Sequence, residues 1–304
     1  MNWISFPGLG IEPFRIDKTA FTVFGRPVAW YGIIICCGII LAVLYAMWRG
    51  KKSEGISSDD VTDLAIFLMI FGFLGARIYY VAFEFDQYRV TGEGFFGNVW
   101  GTLKNSVKIW EGGIAIYGGL IAGFLTVLVF CKVKKIKLLK MVDVASPAAM
   151  IGQLIGRWGN FMNAEAHGGV TNLPWRMGIM QSKFESAPIG EWNYYHPTFF
   201  YESLWNLIGF GIANILYKRK KFDGEVFFFY IAWYGLGRAF IEGMRTDSLW
   251  VGGHFRVSQL VGGATFVVGV VLFIVFSVKN KKKVDEMLEN VTPAVEVDED
   301  GTDN

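Results

Sequence analysis

The chain has 304 residues, of which 53% are hydrophobic and only 18% are charged, with 29 basic and 27 acidic side chains. Soluble globular domains are about one quarter charged, so this composition excludes an ordinary soluble enzyme, a disordered chain and a secreted disulfide scaffold. The near-neutral charge balance gives no basic footprint for a nucleic acid. The three cysteines have no CxxC spacing, which indicates neither a disulfide framework nor a zinc site.

Seven apolar windows predict membrane-spanning helices, because a bilayer core of about 30 Å requires roughly 20 apolar residues in a helix. Each window carries at most one charged residue. The windows are 28–48, 64–83, 112–131, 144–161, 197–217, 226–241 and 257–278. We therefore predict an all-α polytopic membrane protein with seven transmembrane helices, in which the loops of the outer face form a small head region.

The distribution of basic residues predicts the orientation of these spans. The segments 49–52, 132–140, 218–221 and 279–283 together carry 16 Lys and Arg residues, whereas the segments on the opposite side carry ten over longer stretches. The positive-inside rule then places the N-terminus outside and the C-terminus inside. We predict one membrane domain, 1–283, followed by an acidic, disordered cytoplasmic tail, 284–304.

Polar side chains inside the predicted spans fall at one depth. Arg77, Arg157 and Arg238 lie late in outward-running spans, whereas Tyr117 and Glu202 lie early in inward-running spans. All five are therefore expected in the outer half of the bilayer, where a single polar cavity would explain them together. Each arginine taken alone has another interpretation, as a snorkelling residue or a structural ion-pair partner.

Two sets of polar residues recur at helical spacing, so each set shares one helix face: Arg157, Asn160 and Asn163, and Tyr234, Arg238 and Glu242. Glu242 could hold Arg238 in place, with packing as the alternative. Arginine binds phosphate through two parallel hydrogen bonds and keeps its charge when buried. The residues alone therefore indicate an anionic phospholipid headgroup as the substrate class.

The segment 156–168 reads GRWGNFMNAEAHG, and it resembles the signature of the bacterial prolipoprotein diacylglyceryl transferases. Further matches follow the order of that family: Trp30-Tyr31-Gly32, Gly75-Ala76-Arg77, Trp110-Glu111-Gly112-Gly113, Gly118-Gly119, His196-Pro197, Tyr201-Glu202, Tyr234-Gly235-Leu236-Gly237-Arg238, Glu242 and Arg245. The resemblance implies seven spans with an outside N-terminus, in a bacterial inner membrane.

The resemblance also implies a reaction. The family transfers the diacylglyceryl group of phosphatidylglycerol to the lipobox cysteine thiol of a preprolipoprotein, which forms a thioether and releases glycerol phosphate. It uses no metal and no organic cofactor. From the resemblance and the polar residues of the spans together, we predict that the catalytic residues are Arg157, Arg238, Tyr117 and Glu202. The residues that bind the lipid are Arg157, Asn160, Asn163, Glu165, Gly168, Tyr31, Arg77, Tyr234, Glu242 and Gly118.

Tyr117 departs from the family pattern, because many members have histidine at this position. A histidine there would be a candidate general base for the thiol, whereas a phenol is a poor base at neutral pH. The proton acceptor therefore stays open between Tyr117, Glu202 and the lipid phosphate.

Two other classes of function would use the same features. A phospholipid flippase or transporter could use an outer-leaflet cavity, but such proteins often contain internal repeats, and none is visible here. An intramembrane protease would require a Ser/His pair or two aspartates within the spans.

The glycines at 112–113 and 118–119 could contact the substrate, or they could instead allow close packing between helices.

The predicted orientation has a direct test. A reporter fused after Lys283 should read cytoplasmic, and one inserted near Glu185 should read extracytoplasmic, because basic residues concentrate in the predicted inner loops. The measurement is the compartment-specific activity of paired reporters. The reverse pattern of labelling would contradict both the orientation and the outer-leaflet site.

Overall fold

The computed structural model describes residues 2–92, 94–108, 112–181, 190–245, 250–251 and 255–291. Within them the chain is mostly helical. The helices are α1 (Trp30–Arg49), α2 (Ser58–Phe83), α3 (Phe85–Tyr88), α4 (Gly94–Val107), α5 (Ile116–Val133), α6 (Leu138–Asn163), α7 (Thr198–Lys218), α8 (Glu225–Ile241) and α9 (Val257–Val291). The reporter position Glu185 and the pair Trp110-Glu111 lie outside the described residues.

Five helical segments in the described part of the chain are long and apolar enough to cross a membrane: Trp30–Glu54, Ser58–Phe83, Ile116–Val133, Leu138–Asn163 and Val257–Met287. The first includes a π-helical turn, Gly50–Glu54, directly after α1. The remaining two predicted windows coincide with α7 and α8, which are not among these five segments. α8 has only 17 residues, and α7 is less apolar because it carries residues such as Glu202, Asn206 and Asn214. The chain is thus a polytopic membrane protein.

Short strands accompany the helices, and the all-α prediction omitted them. They are β1 (Asn2–Phe6), β2 (Ile11–Ile16), β3 (Thr19–Val23), β4 (Arg26–Ala29), β5 (Met177–Gln181), β6 (Asn193–Tyr195), β7 (Trp250–Val251) and β8 (Phe255–Arg256). One antiparallel sheet has the order β2-β1-β5-β6, and two hairpins, β3-β4 and β7-β8, stand apart from it. β1 and β5 are separated in the chain by residues 7–176, so no local sequence pattern predicts that they pair.

The C-terminal helix α9 continues to Val291, seven residues beyond the predicted start of the tail at 284. The residues after 291 lie outside the described part of the chain. The acidic, disordered tail therefore stays a prediction, and its first eight positions belong to a helix.

The chain divides into two compact units. We call residues 35–152 the middle unit, and residues 1–34 together with 153–304 the terminal unit. In the middle unit α2 packs closely on α5 through glycines. A Cβ atom at Gly75 would lie 2.8 Å from the Gly118 carbonyl oxygen, and one at Gly119 would lie 3.4 Å from the Gly72 carbonyl oxygen. Such small residues let helix backbones approach each other in a membrane.

In the terminal unit the sheet covers the start of α7. Ile4 of β1 and Met177 of β5 are buried in a core that also includes Ile16, Ile179 and Phe199. α7 and α8 are joined by Trp205 and Trp233, whose rings stack at 4.2 Å. Each indole N–H donates to the backbone oxygen of the other tryptophan, at 3.1 and 3.0 Å. We call this arrangement the tryptophan clasp.

The tryptophan clasp depends on glycines opposite each ring. A Cβ atom at Gly209 would overlap the Trp233 ring, and a Cβ atom at Gly237 would overlap the Trp205 ring. On its other side α8 approaches α9, where a Cβ atom at Gly262 would lie 2.9 Å from the Gly235 carbonyl oxygen. These contacts fix α8 between α7 and α9. They therefore also fix the position of Arg238, the residue after Gly237, relative to these two helices.

Candidate active site

Charged side chains from α6, from α7, from α8 and from the segment after α8 come together in the terminal unit. Glu202 of α7 is 7% exposed and lies at the centre. Arg157 of α6 places Nη2 2.6 Å from Glu202 Oε2, and Arg238 of α8 places Nη1 4.0 Å from the same oxygen. Arg245 Nη1 donates to the other oxygen, Oε1, at 3.4 Å. One carboxylate therefore holds three guanidinium groups, and we call these four residues the Glu202 cluster.

A second carboxylate supports Arg238 from the C-terminal side. Glu242 Oε2 lies 2.7 Å from Arg238 Nη2, which confirms the ion pair expected from their spacing of four. Arg256 also donates to the Glu242 carbonyl oxygen. The Glu202 and Glu242 side chains are 9% and 3% exposed, whereas those of Arg157 and Arg238 are 23% and 22% exposed. The carboxylates thus lie behind the guanidinium groups, which remain accessible to an anion.

Hydrogen bonds tie α6 to α7 directly beside the Glu202 cluster. Trp158, the residue after Arg157, donates its indole N–H to Ser203 Oγ at 3.1 Å. Ser203, the residue after Glu202, donates its hydroxyl to the Leu154 carbonyl oxygen at 2.9 Å. The neighbours of both charged residues are therefore locked together, and this fixes the Arg157–Glu202 ion pair.

The end of α6 forms a small polar site around Glu165. Asn160 Nδ2 and Asn163 Nδ2 both donate to Glu165 Oε1, at 3.2 and 3.0 Å. The residues on either side, Ala164 and Ala166, have φ of 50° and 56°. Left-handed alanines are strained, at a cost of order 1–3 kcal/mol each, and such strain clusters at functional sites. The predicted helix face is therefore split, because Asn160 and Asn163 bind Glu165 while Arg157 binds Glu202.

Gly168 lies where two loops of the terminal unit meet. Its N–H donates to the His196 carbonyl oxygen at 2.9 Å, and the Gly169 N–H donates to the Met244 carbonyl oxygen at 2.8 Å. A Cβ atom at Gly168 would lie 2.6 Å from His196 Cβ. Gly168 also forms a β-bridge with Arg245. The absence of a side chain is thus required for the approach that positions Arg245.

Two tyrosines of the predicted site lie in the same unit. A Cβ atom at Gly159 would lie 2.8 Å from the Tyr31 ring, so Tyr31 packs closely on α6. Tyr234 has its ring 6.1 Å from that of Tyr230, whose hydroxyl accepts a hydrogen bond from Gln153 at 3.0 Å. Both Tyr31 and Tyr234 are partly exposed, and their contact with the lipid stays a prediction.

The other three predicted site residues belong to the middle unit. Tyr117 is partly exposed in the first turn of α5. Gly118 is buried against Gly75 and Tyr79 of α2, so packing between helices explains this glycine. Arg77 binds backbone carbonyl groups. The prediction that Arg77 and Tyr117 share one cavity with the Glu202 cluster stays a prediction.

Arg245 and Arg256 are the charged residues that the sequence reasoning did not assign to the site. Arg245 lies in extended backbone after α8 has ended at Ile241, so helical spacing does not find it, and its match to the family pattern is the signal that could have done so. Arg256 is the last residue of β8, directly before α9, and no pattern in the sequence connects it with Glu242.

Metal ligation finds no support in the residues that the structure describes, where no group of three or more His, Cys, Asp and Glu side chains could hold a metal ion. The Glu202 cluster sets three guanidinium groups against one carboxylate, so it carries an excess of positive charge. Guanidinium groups bind phosphate with directed, charge-assisted hydrogen bonds. Fold and site together define a polytopic membrane protein with a buried arginine-carboxylate site.

Comparisons with known proteins identify the family. The family model described as prolipoprotein diacylglyceryl transferase matches residues 18–275. The chain belongs to this family, and it is therefore a membrane-bound transferase. Relatives named phosphatidylglycerol--prolipoprotein diacylglyceryl transferase include one from Listeria innocua, 42% identical over 90% of this chain and 93% of the relative. Others are from Lactobacillus acidophilus, 43% identical over 85% and 89%, and Clostridioides difficile, 41% identical over 89% and 100%.

The position of Arg238 between two carboxylates generates a prediction. Replacing Arg238 with lysine keeps the charge, but one ammonium group cannot span Glu202 and Glu242 and still present a planar fork. We expect Arg238→Lys to lower the transfer rate by roughly 10²- to 10³-fold, the range for removing one preorganised donor. Arg15→Lys is the matched control, because Arg15 pairs with Asp17 outside this site. Equal rates for the two variants at equal amounts of inserted protein would contradict the assignment.

Proposed function

We propose that this chain transfers the diacylglyceryl group of phosphatidylglycerol to the lipobox cysteine thiol of a preprolipoprotein. The carbon–sulfur bond of a thioether forms, and the bond between the glycerol carbon and the phosphate oxygen breaks. Glycerol phosphate is the leaving group. The names of the relatives, which specify phosphatidylglycerol and prolipoprotein, support these substrates. The reaction needs no oxidant and no further reactant.

The observation that carries this proposal is the Glu202 cluster. Arg157 and Arg238 share one buried carboxylate and keep partly exposed guanidinium groups. A phosphate bound there replaces none of the ion pairs that hold the arginines. Negative charge develops on the departing phosphate, and fixed positive charge beside it stabilises the transition state in a site of low dielectric constant.

The Glu165 site supplies a second contact for the same lipid. Both asparagine amides bind Oε1 of Glu165, and the described residues give Oε2 no hydrogen bond. The headgroup of phosphatidylglycerol ends in a glycerol with two hydroxyl donors, and a carboxylate accepts such donors. We therefore assign Glu165 to the headgroup, with Asn160 and Asn163 as the side chains that orient it.

The lipid phosphate is the proton acceptor that this arrangement favours. Glu202 engages arginines through both of its oxygens, so its role is to position them. Tyr117 contributes a hydroxyl at the start of α5 and hydrogen-bonds the lipid. The thiol proton then passes to the departing phosphate group, which leaves as glycerol phosphate, and charge and atoms balance without another base.

The membrane arrangement follows from the same proposal. α7 and α8 complete seven spans with the five segments that are long and apolar enough, and the basic segments 49–52, 132–140, 218–221 and 279–283 face the cytoplasm of a bacterial cell. Glu202 lies near the start of α7 and Arg238 near the end of α8. The Glu202 cluster then faces the outer leaflet, where a preprolipoprotein presents its cysteine.

The test is a reconstituted reaction. Purified protein is mixed with phosphatidylglycerol and a lipobox peptide, and the peptide mass is followed. We expect a mass increase of one diacylglyceryl group and the release of glycerol phosphate. A peptide with serine in place of the lipobox cysteine is the control. Movement of labelled lipid between leaflets without any thioether would instead establish a flippase and refute the proposal.

Tyr117 and Arg157 should respond differently to substitution. Tyr117→Phe removes one neutral hydrogen bond, worth roughly 0.5–1.5 kcal/mol, so we expect a rate loss of about two- to twelvefold. Arg157→Ala removes a guanidinium group and leaves Glu202 with one partner fewer, so we expect no measurable transfer. Initial rates on one lipobox peptide across pH 6 to 9 compare the two. A Tyr117→Phe rate as low as that of Arg157→Ala at every pH would make Tyr117 the general base.

A further inference from the structure

Arg77 of α2 has every donor of its guanidinium group occupied by the protein backbone. Nε donates to the Ser106 carbonyl oxygen at 2.8 Å. Nη1 donates to Gly112 and Gly113 at 2.6 and 2.7 Å, and Nη2 donates to Asn105 and Lys108 at 3.5 and 3.1 Å. A guanidinium group has five N–H donors. We call Arg77 with these five carbonyl groups the Arg77 clasp.

The described residues around the Arg77 clasp enclose the guanidinium group. Arg77 is 6% exposed, and the Tyr88 ring covers its guanidinium carbon at 5.0 Å. A Cβ atom at Gly113 would lie 2.6 Å from Nη1. Gly112 and Gly113 adopt φ of 88° and 79°, a left-handed backbone that favours glycine. The loop is therefore shaped around the guanidinium group.

The charge of Arg77 already has a counterpart in the backbone. Three of the five carbonyl groups come from the last turn of α4 and the residue after it, where carbonyl groups lack partners within the helix. A cation at a helix C-terminus is stabilised by the helix dipole. The carbonyl groups of the described residues thus provide an acceptor for every donor of this buried arginine.

The same loop leads directly into α5. The Ala115 N–H donates to the Ala76 carbonyl oxygen at 3.0 Å, and α5 begins at Ile116. Tyr117 lies in its first turn. Two anchors therefore set the position of Tyr117 along α2. One is the Ala76 carbonyl group, which accepts from Ala115, and the other is the Arg77 side chain, which donates to Gly112 and Gly113.

We propose, on the basis of the transfer reaction proposed above, that Arg77 is a positioning residue that holds the start of α5, and that it does not bind the lipid phosphate. This replaces the sequence-based expectation that Arg77 contacts the lipid. Arg77 acts on the reaction through the carbonyl groups of Gly112 and Gly113, which determine where Tyr117 meets the substrate.

The experiment uses two variants that disturb the Arg77 clasp from opposite sides. Arg77→Lys keeps the charge but offers three donors to five carbonyl groups. Gly113→Ala keeps the arginine but places a Cβ atom against Nη1, and it serves if the first variant does not fold. For each, kcat and the KM for phosphatidylglycerol are measured with a fixed lipobox peptide, together with hydrogen exchange of the Ala115 amide in lipid nanodiscs.

We expect both variants to lower kcat, by up to roughly 10²-fold, as a small misplacement of the reacting groups does. The KM for phosphatidylglycerol should stay within about threefold of the original value, and Ala115 should exchange at least about tenfold faster. Arg157→Lys, which lies in the terminal unit, should leave the exchange of Ala115 unchanged.

Two results would overturn the proposal. A raised KM for phosphatidylglycerol with unchanged exchange at Ala115 would make Arg77 a phosphate ligand. Faster exchange with an unchanged kcat would show that the Arg77 clasp is only structural. A failure of the transfer reaction itself is distinguishable, because the original protein would then form no thioether, while the exchange of Ala115 would still report on the Arg77 clasp.

Discussion

A single buried carboxylate, that of Glu202, is the constraint on which the site depends. Arginines inside a membrane protein are costly unless each has a partner, and here three of them share Glu202. Removing one partner of a buried pair typically costs about 3–5 kcal/mol, because a charge is left uncompensated. The tryptophan clasp, the Trp158–Ser203 bond and the Gly168 bridge all serve to keep these partners within reach of one carboxylate.

The chain buries arginines in two distinct ways, and the difference separates binding from positioning. Arg157 and Arg238 are paired with carboxylates that lie behind them, so their outer faces remain partly exposed. Arg77 is enclosed by carbonyl groups, and no donor remains. Charge does not distinguish the two cases, whereas the identity of the acceptor does.

The sequence predicted the features that depend on local periodicity. The five most apolar spans were found because their apolar residues run continuously, and the pair of Arg238 and Glu242 was found because residues four apart are neighbours on a helix. The sheet was not found, because β1 and β5 pair across most of the chain. The hydrogen-bond partners of the Arg77 guanidinium group could not be predicted either, since backbone carbonyl groups 28 to 36 positions away leave no pattern in residue types.

The most direct test of the account compares Glu202→Gln with Glu225→Gln. Both replace a buried carboxylate, but Glu225 accepts the Lys221 N–H at the start of α8, about 20 Å along the helix from Arg238. The rate of thioether formation is measured for both at equal amounts of inserted protein. The account predicts that Glu202→Gln loses transfer while Glu225→Gln retains most of it. Full activity in Glu202→Gln would contradict the central role of the shared carboxylate.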